Sequence, residues 1–328
     1  MKETVGVVVI GRNEGERLIQ CFESLQQTLS AIIYVDSGST DGSVEAAKQR
    51  DIEVLSLDTS IPFTAARARN TGFEHLLTLY PHLQFVQFVD GDCEVVSGWL
   101  ETAYHALENN SEIAVVCGRR RERFPNFSIY NQLCDLEWDT PVGEAKACGG
   151  DSMMRVKAFQ EVEGFNANLI AGEEPELCYR LRQQEWKIWR LDAEMTLHDA
   201  GMTRFSQWWK RNVRAGYAYA AGSWLHGKEA ERYRVKETMS NWFWGGTIPV
   251  IVISGLWWTQ GFSLLILAIY PLLVAKIYRY QLQSYSSSEA RIYAVFCVLG
   301  KFPNVWGQFK FYWDQWRQQS SAIIEYKS

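Results

Sequence analysis

Between Val5 and Val89 apolar runs alternate with segments of helical spacing. Val5–Ile10 is a nearly unbroken β-branched run, followed by a turn and by a helical pattern over Gly15–Thr28. Ile32–Val35, Ile52–Leu57 and Phe85–Val89 predict three further strands, with helices over Ser43–Arg50 and Phe63–Tyr80 between them. Strands buried on both faces and separated by helices predict a doubly wound, mostly parallel α/β sheet. In such a sheet the carboxyl ends of the strands converge on a ligand crevice. Polar clusters stand at three of those ends: Arg12-Asn13-Glu14, Asp36 to Asp41, and Asp90 to Glu94. Further on, Ile113–Cys117 predicts a strand and Glu173–Gln184 an amphipathic helix, with Arg119–Arg123 a short basic run.

The pattern changes after Ala200. Phe205–Trp224 is rich in Trp and Arg, and Lys228–Lys236 is a charged connector. Trp242–Ala275 then runs for 34 residues without Asp, Glu, Lys, Arg or His. As one helix it would be about 51 Å long, against an apolar bilayer core of roughly 30 Å. Gln260-Gly261 splits it into Trp242–Trp258 and Phe262–Ala275, with Arg232, Arg234 and Lys236 before and Lys276 and Arg279 after. Basic residues outside both ends favour a hairpin that starts and finishes on the cytoplasmic side. Ile292–Gly300 is a third apolar patch, too short to span and expected at the interface or against the hairpin.

Composition sharpens the division. The chain of 328 residues carries a formal charge of −5, with 33 basic and 38 acidic side chains. Residues 1–200 hold 18 Lys and Arg against 32 Asp and Glu, whereas the remainder holds 15 against 6. Ten of the 14 Trp lie in that basic remainder. An acidic front half excludes a nucleic-acid module, because phosphate backbones call for a basic face. Basic and aromatic residues together in the rear point to a membrane surface. Seven scattered cysteines with no CxxC pair fit a reducing compartment, and the N-terminus lacks the pattern of a signal peptide. The front half is therefore expected in the cytoplasm.

The strand-end clusters have a shared chemistry. Asp90-Gly91-Asp92 sets two carboxylates about a glycine, which suits a divalent cation shared with a diphosphate. Glu14 and Asp36, with Arg12 and Ser37 beside them, are placed to accept hydrogen bonds from a base or ribose. Asp41 is expected to shape the turn. One of Arg67 and Arg69 should face the crevice and balance a diphosphate, and spacing does not choose between them. Glu173 and Glu174 suit the start of a helix, and one of them is a candidate general base.

The succession VVVIGRNEGE, YVDSGSTDGS, AARARNTG, QFVDGDCE, ACGGDSMMR, GEEPELCYRLR and LHDAG resembles the family 2 glycosyltransferases of the GT-A fold. The resemblance covers about residues 5–200. It implies inverting transfer of a sugar from a nucleotide-sugar donor to an acceptor hydroxyl, with Mg²⁺ or Mn²⁺ as cofactor. Glu14 and Asp36 would hold base and ribose. Asp90 and Asp92 would form the DxD, with Asp92 ligating the metal directly and His198 supplementing it. The family's Glu-Asp pair falls on Glu173-Glu174, so Glu174 becomes the base one methylene longer, with Glu173 in reserve. Gly149, Gly150 and Asp151 resemble the acceptor-side segment. Gln207-Trp208-Trp209-Lys210-Arg211 resembles the QxxRW of processive synthases, but no Trp follows the Arg, so single addition is expected.

The expected organisation is a GT-A domain over residues 1–203, connector helices over 204–240, and an all-α membrane-associated region over 241–328. The expected acceptor is a polyprenyl-diphosphate-linked saccharide in cell-surface polysaccharide synthesis, met at the cytoplasmic face of the inner membrane. Its expected partners are that acceptor, the donor and membrane lipids, with no nucleic acid. The alternatives are a processive synthase of the same fold, a membrane-anchored nucleotide sensor without catalysis, and a nucleotidyltransferase, for which GRNEGE is a poor match.

Overall fold

A computed structural model describes residues 1 and 3–318, and by contact density they form two compact units. The first comprises Met1–Arg123 and Glu137–Asp199; the second comprises Phe124–Leu136 and the chain from Ala200.

The first unit is built on a nine-stranded sheet: β1 (Val5–Gly11), β2 (Ile32–Asp36), β3 (Glu53–Ser56), β4 (Phe85–Asp90), β5 (Cys93–Val95), β6 (Ile113–Glu122), β7 (Gly143–Ala145), β8 (Ser152–Arg155) and β9 (Lys187–His198). Its order is β3-β2-β1-β4-β8-β6-β9-β5, with β7 also paired to β9. The run β3-β2-β1-β4 is parallel throughout, so the loops after β1, β2 and β4 open along one edge. β8 enters antiparallel between β4 and β6, which makes the complete sheet mixed. Helices α1 (Glu16–Gln26), α2 (Ser43–Lys48), α3 (Ala65–Leu79), α4 (Trp99–Asn109), α6 (Val156–Glu161) and α7 (Glu173–Gln183) belong to this unit; α5 (Ile129–Glu137) belongs almost wholly to the second.

Alternation along β1 explains its uninterrupted apolar sequence. Val5, Val7 and Val9 enter one core cluster with Leu18, Phe22 and Trp99, while Val8 and Ile10 enter another with Phe73, Leu76 and Leu177. Each face of the strand is covered, so neither set of alternating residues is polar. Helix α3 lies especially close to the sheet because Gly72 has no side chain. A Cβ there would stand 2.5 Å from a Val8 methyl and 2.7 Å from a Val35 methyl. Thr64 caps α3 by accepting from the Arg67 N–H at 3.0 Å. Asn70 fixes the helix sideways, donating to the Phe165 carbonyl at 2.7 Å and accepting from its N–H at 2.9 Å.

The second unit is helical: α8 (Phe205–His226), α9 (Val235–Asn241), α10 (Ile248–Trp258), α11 (Ile269–Gln281), α12 (Ser287–Leu299) and α13 (Lys301–Arg317). Helix α9 continues into α10 through a π-helical turn, Trp242–Thr247, which ends two residues before Pro249. A proline there has no N–H for an α-helical bond, and the wider turn accommodates the gap. The chain reverses at Gln260 and Gly261, both at positive φ, so the predicted break is where the helix ends.

The second arm differs from its expected length. A 3₁₀ segment Phe262–Ala268 runs directly into α11, and the helical run ends only at Gln281, with Lys276 and Arg279 inside it. Nothing in Lys276–Gln281 breaks a helix, and cations are favoured in its last turns. The run of 20 residues is long and apolar enough to cross a membrane. Trp257, Trp258, Phe262 and Leu265 are all exposed at this tip.

Gly72→Val places a branched side chain against Val8 and Val35. The variant should lose about 1–3 kcal/mol of stability, read as a lower urea midpoint; an unchanged midpoint would contradict the close packing of α3.

Candidate active site

The loops after β1 and β2 are stitched together by short polar side chains. Asn13, at φ 57°, accepts from the Thr40 N–H at 2.7 Å and donates its own N–H to Ser39 Oγ at 3.0 Å. Asp41 accepts from the Gly15 N–H at 3.0 Å and from Ser43, which fits the turn-shaping role expected of it. Asp36 is buried and accepts from the Tyr34 hydroxyl at 3.0 Å and the Gly38 N–H at 2.9 Å. Burial pushes the Tyr34 phenol up, so it remains a donor. Ser37 donates its N–H to the Gly11 carbonyl at 3.0 Å. Glu14 pairs with Arg17 at 2.8 Å, and Arg12 lies over the Phe63 ring at 4.8 Å.

Gly91 brings the end of β4 against this pair of loops. Its N–H donates to the Ile10 carbonyl at 2.8 Å, and a Cβ would stand 3.1 Å from that oxygen. The two carboxylates on either side of Gly91 therefore flank the edge of the sheet.

One buried guanidinium gathers the acids that the sequence separates. Arg69, 2% exposed, reaches Asp90 at 2.7 Å and both Glu173 and Glu174 at 3.0 Å. Arg67, two residues earlier, turns instead to the carbonyls of Ile61 and Asp58 at 2.9 and 3.0 Å. The structure thus separates two arginines that spacing left equivalent. Gly150 makes room for the cluster: a Cβ there would lie 2.3 Å from Arg69 Nη2 and 3.0 Å from Asp90 Oδ2. Gly149 is unconfined.

A second arginine, Arg120, holds the other side of Asp90 at 3.1 Å and pairs with Asp151 at 2.5 Å. Asp151 is fully buried, accepting also from the Asp90 N–H at 2.9 Å and from Thr196 at 2.8 Å. It meets the rest of the site through Asp90 and Arg120. Sequence reasoning passed over Arg120 as one member of a basic run. The signal it lacked is the pair of register shifts on either side of Arg119, which set the orientation of the next residues on β6.

The titration of these groups follows from their neighbours. Burial alone would raise Asp90, but Arg69 and Arg120 outweigh it and hold the carboxyl below its ordinary range. Glu174 moves the opposite way. Burial, reinforced by the negative charge of Glu173 and opposed by Arg69, pushes it up to about 7. Glu173 is 3% exposed, whereas the Glu174 side chain is 16% exposed. The longer acid of the expected pair is therefore the more accessible, and its proton is poised near neutrality.

Asp92 and His198 meet through sheet register. β5 and β9 pair antiparallel with Cys93 opposite His198, and His198 Nε2 comes 3.3 Å from Asp92 Oδ2. Glu122 Oε2 lies 3.9 Å from the other ring nitrogen, and the Trp138 ring meets the imidazole edge-on at 4.8 Å. Oxygen and imidazole donors suit Mn²⁺ or Mg²⁺ with further ligands from phosphate and water, so the residues fit the implied cation. The two Asp90 oxygens each face an arginine, which makes Asp90 chiefly a charge partner in this arrangement.

In the second unit, Gln207 caps α8 by accepting from the Thr203 and Arg204 N–H groups at 2.9 and 3.0 Å. Trp208 is buried against Phe296 with ring centroids 5.0 Å apart. Gln207 and Trp208 of the QxxRW-like stretch thus have structural partners.

In open α/β sheets ligands bind at the carboxyl ends of the strands, and the acid cluster around Arg69 and Arg120 includes Asp90 at the end of β4. The profile of Glycosyl transferase family 2 matches residues 6–162, just under half of the chain. The chain is 25% identical over 201 residues to the succinoglycan biosynthesis protein ExoA of Rhizobium meliloti, covering 57% of this chain and 60% of ExoA. It is 30% identical over 183 residues to the glycosyltransferase AglE of Haloferax volcanii, covering 51% of this chain and 58% of AglE. The matched segments thus span about three fifths of the curated relatives. The mannosyltransferase PcManGT of Pyrobaculum calidifontis, solved with GDP-Man and Mn²⁺, superposes with a TM-score of 0.58 at 16% identity. That superposition covers 95% of this chain and 87% of PcManGT, and shows that the two share the GT-A fold.

Arg69→Met leaves Asp90, Glu173 and Glu174 without their common cation. The variant should be destabilised by about 3–5 kcal/mol at pH 8. Glu174, already pushed up to about 7, loses the cation that opposes that shift, so its folded pKa lies above its unfolded one and the loss shrinks as pH falls toward 5 and it protonates. Urea denaturation at the two pH values checks this; an equal loss at both would contradict the charge argument.

Proposed function

We propose that the protein transfers a sugar, with inversion, from a nucleoside-diphosphate sugar to a hydroxyl of a lipid-linked saccharide at a membrane surface. The observation that carries this reading is the convergence on Arg69 of Asp90 with the helix-borne pair Glu173 and Glu174. A donor-side acid and a base candidate with a pKa of about 7 are thereby held by one side chain.

The loops bearing Arg12, Glu14, Asp36 and Ser37 receive the nucleoside, and the family match over residues 6–162 supports that assignment. Asp92 and His198 would hold Mn²⁺ or Mg²⁺, which would supply positive charge beside the diphosphate. Arg69 keeps Asp90 ionised and sets its position. Glu174 takes the proton of the attacking hydroxyl, with Glu173 fixed beside it by the same guanidinium. Gly149 and Gly150 border the acceptor side, and the buried Asp151 that follows them holds Arg120 and the Asp90 N–H.

The second unit is read as the membrane attachment. Support comes from the apolar run Phe262–Gln281 and from the exposed Trp257 and Trp258 at the hairpin tip. Trp at this position suits the boundary between headgroups and acyl chains. Arg204, Lys210, Arg211 and Arg214 give the start of α8 a charge suited to a lipid diphosphate or an anionic headgroup. The ExoA relative, a succinoglycan biosynthesis protein, favours a role in polysaccharide assembly.

Incubation with nucleotide-sugars and a lipid-diphosphate saccharide tests the reading directly. Glu174→Gln should lower transfer by about 10²–10⁴-fold. In the wild type, kcat/KM should rise with pH and level off above an apparent pKa near 7, because the base must be deprotonated. Near-normal turnover in Glu174→Gln would overturn the assignment. Separately, Asp92→Ala should abolish metal-dependent transfer while the protein keeps its wild-type circular dichroism; full activity would remove Asp92 from the metal site.

A further inference from the structure

The residue after the DxD is a cysteine, and nothing in the reaction uses it. We propose that Asp92, Cys93 and His198 together form a ligand set for a thiophilic divalent cation of the Zn²⁺ type, with Cys93 supplying the sulfur. The inference rests on the preceding reading in that Asp92 and His198 serve both ions.

The geometry is already close to that of a coordination shell. Ligand atoms of the three residues lie within 4.8 Å of one another. Cys93 Sγ stands 3.6 Å from Asp92 Oδ1, and Asp92 Oδ2 stands 3.3 Å from His198 Nε2. Zinc bonds of about 2.0–2.1 Å to oxygen and nitrogen and about 2.3 Å to sulfur place tetrahedral ligand atoms about 3.3–3.6 Å apart. The β5–β9 register accounts for the third edge. Cys93 and His198 are directly opposed in an antiparallel pair, so their side chains emerge on the same face of the sheet.

The chemistry of the donors selects the ion. Three mixed O, S and N donors are the number of protein ligands that an open zinc site uses. Sulfur contributes little to Mg²⁺, which prefers oxygen, so the thiol distinguishes soft from hard cations. Asp90 and Asp151 carboxylates also lie within 4.8 Å of the Cys93 sulfur and add negative charge around it. On binding, the thiol proton leaves to water and the sulfur donates a lone pair to the ion; no electron is transferred. An ion held in this way occupies the ligands that the hard cation needs, so micromolar Zn²⁺ would inhibit by competition.

Co²⁺ is the direct probe, because a thiolate–Co²⁺ bond gives a charge-transfer absorption in the near ultraviolet. The full-length wild-type protein should develop this band on Co²⁺ addition and lose it when Zn²⁺ is added. Cys93→Ser and Cys93→Ala should each lack the band and bind Zn²⁺ about ten-fold or more weakly. Cys21→Ser should keep it, since Cys21 lies outside the cluster with its sulfur 4.0 Å from the Asp90 carbonyl. A band that survives in folded Cys93→Ser, or Co²⁺ bound by the wild type without one, would overturn the proposal. Mn²⁺ binding to the wild type, followed by electron paramagnetic resonance, separates the two readings. If Mn²⁺ binds and the band is absent, the thiol inference alone falls; if neither ion binds, both fall.

Discussion

A buried guanidinium surrounded by three carboxylates is the constraint on which the front unit depends. Arg69 is 2% exposed, and removing such a cation from water is costly unless its charge is matched. Asp90 comes from the end of β4 and the two glutamates from the start of α7, so the match requires strand, helix and α3 to meet at one point. Small residues and amides make that meeting geometrically open. Gly72 lets α3 settle on the sheet, Asn70 ties it to the turn at Phe165, and Gly150 leaves space for the guanidinium itself.

The charge around this point does not cancel. Asp90, Asp92, Asp151, Glu173 and Glu174 face two arginines, Arg69 and Arg120. The surplus is met in part by the proton that Glu174 retains near neutrality, and a divalent cation at Asp92 and His198 would meet more of it. Cation binding and the proton on Glu174 are therefore electrostatically linked, since each lowers the same excess. A crevice of this kind attracts a metal–diphosphate complex as a whole better than it attracts a bare diphosphate.

Much of this was legible in the chain. The four parallel strands stand out because burial on both faces makes them continuous apolar runs, as Val5, Val7 and Val9 alternate with Val8 and Ile10 between two cores. The polar strand ends follow from topology, and Gln260-Gly261 marked the turn of the hairpin. The mixed half of the sheet was harder to read. β9 (KIWRLDAEMTLH) does alternate apolar and polar residues from Trp189 to His198, but its parallel pairing with β6 carries three register shifts that alternation alone does not reveal. The same shifts hid Arg120. The choice of Arg69 over Arg67 is a tertiary fact: both lie on one helix, and only the arrival of α7 distinguishes them. In the rear, the uncharged stretch ends at Ala275 but the helix does not, and Lys276 and Arg279 are carried within its final turns.

The two units answer different surroundings with different compositions. The acidic front gathers more carboxylates than arginines at one sheet edge, and the basic, Trp-rich rear exposes an apolar hairpin. The central claim is that the crevice holds a nucleoside-diphosphate sugar through a metal ion. The most direct measurement is the thermal unfolding midpoint of the wild-type protein against a panel of nucleoside-diphosphate sugars, each with Mn²⁺ and with a chelator. The account predicts that at least one donor raises the midpoint with Mn²⁺ and loses that effect with the chelator. An equal rise without metal, or none with any donor, would contradict it.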